Sequence, residues 1–568
     1  MPEYLITDSR NGFKTLSIID NKTGKEIKLH SSYDPVKEAE RSIDAFEKGR
    51  SSIIAVSGIA LGYHLIELKK KYPDTKIIAI ENDTEITDLC RKISPASLES
   101  IQIIAPGTDP DIVFEGIDLS GFKGISHYIH KPSYQLNPEF YDKAMNAIKL
   151  HISSRISDLL TRFEFEEKWL QNIFRNLKHM ENSDSVSKLF GKFRGLPGII
   201  VSAGPSLKHS IEDLKKIRNK AVIVAVDTSL KILDKHNITP HFVLTLDAQK
   251  YSVKHFTGVK TDKTILIADM VSCPSIMNTF TGRKIISTTS KYYQNSQGDI
   301  VRETTPGIDW IEKKTGPLGD IQSGGSVATS AFDLLLNMGC DPIILTGQDL
   351  AYSGREYHCS GTYHNDDWIP RISRFSNLDT INQNVIRKRK IKYVRRYGNR
   401  NTIISDFVFD LYRSWFEDSA GRISASVINA TGDGSKINNT KEMNLVDAVK
   451  TGTSKSDPQS IIDGIISVNT HNDIAEIRKS IIHEFQKIEN LIDLTDSEEP
   501  DESTIEEINN LLEDDDTHSL LKPLMRRSQF YISRHTFETD KARDIIYNDV
   551  KMSVRKMKEI LKGSGMME

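Results

Sequence analysis

Residues 198–247 alternate three short apolar runs with two helix-patterned segments, an arrangement that buries its apolar groups only in an α/β layer. Gly198-Ile199-Ile200-Val201 reads as a strand covered on both faces. The small-residue turn Ser202-Ala203-Gly204-Pro205-Ser206 follows, then a helix over 207–217 with Ser206 as its expected N-cap and Glu212 and Asp213 in its early turns. Residues 221–226 form a second strand run ending on Asp227-Thr228-Ser229, with a short helix over 230–236. Residues 242–246 form a third, ending on Asp247-Ala248-Gln249. A glycine turn and two carboxylates thus stand at the carboxyl ends of successive strands, the edge where ligands of open α/β sheets bind.

The flanking sequence sets the domain plan. The chain's 568 residues suffice for two or three cores. A formal net charge of −3 argues against a nucleic-acid coat or a strongly basic membrane binder. Cys90, Cys273, Cys340 and Cys359 lack metal-ligand or paired spacing and read as reduced thiols. No signal-peptide pattern opens the chain, and no apolar run reaches the ~18 residues of a membrane span. The expectation is a cytoplasmic protein with neither membrane nor nucleic-acid partners, no metal ligands and no resident cofactor.

Residues 1–136 are expected to form a smaller Rossmann-like domain. A hairpin turn is expected at Asn21-Lys22-Thr23-Gly24. Strands at 52–56 and 76–80 flank Ser57-Gly58-Ile59-Ala60-Leu61-Gly62 and a helix, and the second ends on Glu81. The outline resembles the first motif of methyltransferases that use S-adenosylmethionine. Ala60 stands where a second glycine is usual, so the unit is read as scaffold. Residues 137–194 read as a helical linker, with Met145, Ile148, Ile152, Ile156, Leu170, Ile173 and Leu177 on one stripe. Residues 195–438 form the central α/β domain, with a mostly parallel sheet and further strands at 264–268 and 284–286. The polar stretch 290–320 fits a long loop or lid. Gln322-Ser323-Gly324-Gly325-Ser326 opens a helix to Met338, and a strand at 343–346 ends on Gly347-Gln348-Asp349. Residues 439–568 read as an α-helical region.

The turns at 202–206 and 323–326 each promise backbone amides at a helix start, an anion cradle. Two glycines at 324–325 exceed what helix packing requires. Asp227, Asp247 and Asp349 can accept from ribose hydroxyls and a base, gather magnesium, or merely cap helices. Tyr352, Tyr357 and His358 lie just past a strand end, where phenols can donate to a leaving phosphate and an imidazole can take a proton. The basic run 387–392 is a solvated face or an anion clamp.

Taken together, Ser202-Ala203-Gly204-Pro205-Ser206-Leu207, Ala225-Val226-Asp227-Thr228, Thr239-Pro240-His241-Phe242 with Thr245-Leu246-Asp247, Ser323-Gly324-Gly325-Ser326-Val327-Ala328-Thr329 and Leu345-Thr346-Gly347-Gln348-Asp349-Leu350-Ala351-Tyr352 resemble the motility-associated-factor (Maf) family of flagellin glycosyltransferases. The central domain is in turn similar to bacterial sialyltransferases that use CMP-activated nonulosonic acids. The resemblance implies that Ala203, Gly204, Pro205 and Ser206 line a CMP site. Asp227, Thr228, Asp247, Gln249 and Gln348 would contact nucleotide and sugar, and Ser323, Gly324, Gly325 and Ser326 the sugar or phosphate. Tyr352 and Tyr357 would hold the leaving phosphate in an inverting, metal-free displacement by a serine or threonine of flagellin. The base of those enzymes falls near Tyr397-Gly398-Asn399, where this chain has no histidine, so His358, His364 or Asp349 would replace it. Similar domains occur in 6-hydroxymethylpterin diphosphokinases, where the acids would hold magnesium and ATP. A flagellin chaperone or adaptor without catalysis is the third expectation.

Overall fold

The computed structural model describes residues 3–19, 24–108, 122–294, 299–399, 401–454, 456–466, 474–496, 502–534 and 539–566. The chain divides into two compact units. The first comprises Met1–Phe163, Tyr293–Val301 and Arg527–Ala542; the second comprises Glu164–Tyr292, Arg302–Arg526 and Arg543–Glu568. Among the described residues no helix is long and apolar enough to cross a membrane.

In the first unit, β1 (Glu3–Asp8), β2 (Lys14–Ile19) and β3 (Glu26–Lys28) make an antiparallel sheet. Residues 21–23 of the expected hairpin turn lie outside the described residues. β4 (Ile53–Ser57), β5 (Lys76–Ile80), β6 (Gln102–Ile104) and β7 (Ile125–Ile129) form a parallel sheet in the order β6-β5-β4-β7. Strand alternation sorts its side chains to two cores. Ile53, Ala55, Ile78 and Ile80 meet Tyr141, Met145, Ile148 and Ile152, whereas Ile54, Val56, Ile77 and Ala79 meet Ile43, Leu65 and Leu68. The expected linker is therefore not a separate piece. It is one helix, Pro138–Met180, whose early stripe completes the first core and whose Leu170, Ile173, Phe174 and Leu177 enter the core of the second unit.

The βαβ turn of this unit is filled by the protein itself. A Cβ on Gly58 would lie 2.8 Å from Ser133 Oγ, and one on Gly62 would overlap Ser97. Glu81, placed for a ribose, is 1% exposed and accepts from the Ile59 amide (2.8 Å), the Tyr141 hydroxyl (3.1 Å) and the Asp83 amide (3.2 Å). These three bonds use the carboxylate to hold the turn.

The second unit is built on a sheet of eleven strands among the described residues. Its strands are β8 (Asp184–Ser185), β9 (Gly198–Val201), β10 (Val222–Val226), β11 (Phe242–Thr245), β12 (Ile265–Asp269), β13 (Lys284–Gln294), β14 (Ile300–Thr304), β15 (Asp320–Ile321), β16 (Ile343–Thr346), β19 (Val427–Asn429) and β20 (Lys441–Glu442). A separate antiparallel pair is formed by β17 (Ile391–Arg395) and β18 (Thr402–Asp406). The order is β14-β13-β12-β11-β10-β9-β16-β19-β20, with β8 and β15 beside β13. From β13 to β20 the ladders are parallel. Every residue of β9, β10, β11, β12 and β16 is buried, as continuous apolar runs require when helices cover both faces. β9 is flanked by β10 on one side and β16 on the other, so the strand order reverses there. That topological switch point places a crevice at the carboxyl ends of β9 and β16.

Two expectations are corrected here. The stretch 290–320 is not a loop: it carries the end of β13, β14, the helix Ile308–Thr315 and β15, with residues 295–298 outside the described residues. Ile308, Trp310 and Ile311 are fully buried, and three apolar anchors among polar neighbours suffice to seat that helix. The helical region beyond residue 439 does not form a core of its own. Ile477, Ile481, Ile488 and Leu491 of the helix Ala475–Thr495, with Leu520, Leu521, Val554 and Met557, share one core with Trp310 and the central sheet.

Candidate active site

At the switch point the loops after β9 and β16 are bonded to each other. Ser202 donates its hydroxyl to Gln348 Oε1 (2.5 Å), and the Gly204 amide donates to Gly347 O (2.8 Å). Ser206 donates both its hydroxyl (2.6 Å) and its amide (3.2 and 3.3 Å) to the Asp349 carboxylate. Glycine is required at 204 because a Cβ there would overlap Asp349 and sit 2.5 Å from Gly347 O. Leu350 adopts φ +47°, a left-handed conformation that a branched side chain rarely takes, so the segment leading to Tyr352 is strained.

These contacts correct three expectations. Ser206 is not a helix N-cap: Pro205–His209 is a 3₁₀ turn, the α-helix begins at Ile211, and the Ser206 hydroxyl serves Asp349. Nor are most amides of the two turns vacant. Those of Ser202, Gly204 and Ser206 are taken by Thr346 O, Gly347 O and Asp349, and those of Gly324, Gly325 and Ser326 by the hydroxyls of Thr329 and Ser323. The glycine pair is needed for packing after all. A Cβ on Gly324 would lie 2.5 Å from Trp415 Cδ1, and Gly325 has φ +94° with Tyr412 alongside. Ser326 caps the helix Val327–Asn337 through a reciprocal bond set with Thr329.

Asp349 is 2% exposed, and burial pushes its carboxyl up to about 6 against the opposing pull of Ser206. It is a clamp between two loops and does not reach the crevice as an acid or base. Because its folded-state value lies above the ordinary 3.8, the stability it contributes is fully present below about 3.8 and is lost as pH rises to about 6. Asp349→Asn is therefore expected to flatten the pH dependence of urea midpoints between pH ~4 and ~6. An unchanged slope would contradict the clamp's titration.

The other predicted acids stand at neighbouring strand ends. Asp227 opens the helix Asp227–Lys235, so it is not the residue preceding that helix. It accepts from the amide (2.6 Å) and hydroxyl (3.0 Å) of Thr228 and from the Thr245 hydroxyl (2.9 Å). Asp247 is half-buried and accepts from the exposed Gln249's amide (2.8 Å) and from the Ser252 hydroxyl. Both carboxylates act on His255, a residue that the sequence did not single out. His255 ends the 3₁₀ turn Lys250–His255, is 6% exposed, and packs against Tyr363 with ring centroids 4.3 Å apart. Its Nδ1 is buried with no partner among the described residues. Burial lowers its pKa, while Asp227 and Asp247 pull it back up.

The insertion after β16 closes the group. Lys231–Asp366 (3.1 Å) and Lys254–Asp367 (2.8 Å) pin the helix Tyr363–Trp368 beside His255. His358 stacks on His364 at 5.2 Å. Burial, then the nearby His364 and His255, push His358 down to about 3; burial and His255 take His364 to about 4. Both are neutral and poor proton acceptors. Tyr352 is 3% exposed and donates its only proton to Asp406, which also caps the helix Phe407–Arg422, so it cannot also donate to a ligand. Tyr357 can. Its hydroxyl accepts from Arg389 (3.1 Å) and keeps its own proton without an acceptor among the described residues. One member of the basic run thus reaches the tyrosines; Lys392 instead pairs with Asp410.

Comparison with known proteins adds three likenesses. The family model described as 6-hydroxymethylpterin diphosphokinase MptE-like matches residues 171–355. An uncharacterized protein of Treponema pallidum (strain Nichols) is 28% identical over 120 residues, 21% of this chain. The chain spans about half of that relative, 53% of its length. Among solved structures, the MAf glycosyltransferase from Magnetospirillum magneticum AMB-1 superposes with a TM-score of 0.54 at 13% identity, covering 100% of this chain and 93% of that one. The fold expected from the Maf resemblance is therefore the fold this chain has, along its whole length.

Proposed function

We propose that this chain is a glycosyltransferase that moves a nonulosonic acid (pseudaminic, legionaminic or a related sialic-acid-like sugar) from a CMP donor to serine or threonine of flagellin. The supporting observation is the run of neighbours at the strand ends that joins Asp227 and Asp247 to His255, His255 to His364, His364 to Tyr357 and Tyr357 to Arg389. The full-length likeness to a glycosyltransferase fold agrees with it.

In this reading Tyr357 donates its unused proton, and Arg389 its charge, to the departing phosphate. The bond between the anomeric carbon and the phosphate oxygen breaks with its electron pair on CMP. The acceptor hydroxyl oxygen forms the new bond from the opposite face, and its proton passes to His255. Asp227 and Asp247 stabilise the imidazolium that results, a service that no carboxylate gives His358. Tyr357→Phe and Arg389→Gln are each expected to lower kcat by about 10- to 100-fold while donor affinity changes less. Weakened donor affinity with kcat unchanged would place them in ground-state binding instead.

The family-model description favours a second reading, a magnesium-ATP diphosphokinase. Asp227 and Asp247 would then hold the cation. Their oxygens already accept from amides and hydroxyls of Thr228, Thr245, Gln249 and Ser252, a setting that suits ribose or sugar hydroxyls better than a hard ion. Isothermal titration separates the two: CMP binding undiminished by chelator supports the transferase, and magnesium-dependent ATP binding supports the kinase. Flagellin glycosylation fully restored in deficient cells by both Asp247→Ala and Tyr357→Phe would favour a non-catalytic adaptor.

A further inference from the structure

The sheet of the second unit has a second concave site at its opposite edge. Around the amino ends of β11, β12 and β13 lies a cavity of about 390 Å³, lined by Arg218, His241, Lys263, Thr264, Arg283 and Gln459 among others. Of its lining only His241 falls within a motif of the sequence, Thr239-Pro240-His241-Phe242, because the residues come from five separate stretches.

His241 is the key group. It is 2% exposed, and its Nδ1 accepts the Ile223 amide at 3.0 Å. A neutral imidazole whose Nδ1 accepts must carry its proton on Nε2. Burial, then Arg218, lower its pKa to about 3, which keeps it neutral. That Nε2 is buried and has no partner among the described residues. A buried donor without an acceptor costs about 1–3 kcal/mol, so its retention at a cavity wall points to an acceptor supplied from outside. Arg218 uses Nε on Thr239 O (2.9 Å) and Nη2 on Gln459 (3.1 Å), leaving Nη1. Lys263 is exposed on the cavity rim. Arg283 is a wall of the site and not a free cation, since Asp184 accepts from its Nε and Nη2. Asp262 on the rim and the Asp457 carboxylate near His241, whose Oδ1 is also buried without a partner among the described residues, lower the positive field.

We propose that this cavity binds the phosphate group of a small phosphorylated molecule, with His241 Nε2–H, Arg218 Nη1 and the Lys263 ammonium as donors. The site lies at the edge of the sheet opposite the candidate active site and takes no part in the transfer proposed above. Its test is independent of that reading. Inorganic phosphate is titrated into the full chain at constant ionic strength, with thermal unfolding and calorimetry as readouts, for wild type, Lys263→Ala and His241→Gln. Lys263 is exposed, so its variant isolates binding from folding. The expected result is saturable stabilisation of wild type, at least ~10-fold weaker phosphate binding in Lys263→Ala, and CMP affinity equal in both. Non-saturable stabilisation, or equal phosphate affinity in wild type and Lys263→Ala, would overturn the proposal.

Discussion

Replacing His255 by alanine is expected to lower kcat for sugar transfer by about 10²- to 10³-fold, the range lost with a general base. CMP affinity should be nearly retained, because the imidazole is assigned to the acceptor's proton and not to the nucleotide. The choice of this histidine follows from its surroundings. His255 is faced by Asp227 and Asp247 and, to a lesser degree, by Lys231, whereas His358 is faced by His364, His255 and Arg389 and by no carboxylate. Carboxylates favour the imidazolium that forms during reaction, and cations or further imidazoles oppose it. His358→Ala should therefore cost less than His255→Ala. Since burial lowers the His255 pKa, the acid limb of the kcat profile should fall below the ordinary histidine value of 6.5 and vanish in His255→Ala. Rate measurements across pH on the two variants decide the matter, and a larger loss in His358→Ala would reverse the assignment.

Gly204→Ala is expected to be among the most destabilising single substitutions in the second unit. The added carbon would overlap Asp349 and lie 2.5 Å from Gly347 O, and backbone cannot yield as a flexible side chain can. Overpacking of this kind costs about 1–3 kcal/mol. Displacing Asp349 also strands the Ser206 hydroxyl and amide that it accepts, adding roughly 1–3 kcal/mol for buried groups left unpaired. Urea unfolding should show the loss directly. CMP binding should weaken as well, because the loops after β9 and β16 are held together at this point and frame the crevice. Wild-type stability in the variant would show that the two loops separate without penalty.

The strand runs and their order-setting helices were legible because burial on both faces writes itself as uninterrupted apolar residues, as in β9, β10 and β16. The strand-end acids were legible for the same reason, each within three residues of the end of a run. What the turns do was not. Glycine at 324 reads as an opening for a ligand until Trp415, far along the chain, is seen against it. Asp349 and Tyr352 read as site groups until Ser206 and Asp406 are seen to occupy them. His255 was invisible because its neighbourhood has no periodicity and its partners lie on Asp227, Asp247 and the later insertion. The helix Ile308–Thr315 was missed because three apolar anchors in a polar stretch are too few to outweigh the local composition.

The central claim is that this crevice transfers a nonulosonic acid from CMP to a flagellin hydroxyl. Its most direct test is the intact mass of purified flagellin after incubation with the protein and a CMP-nonulosonic acid, with released CMP measured in parallel. A mass gain of whole sugar residues on serine or threonine, with one CMP released per residue and loss of both in His255→Ala, is the predicted result. Flagellin of unchanged mass with no CMP released, from protein that is folded and binds the donor, would contradict it.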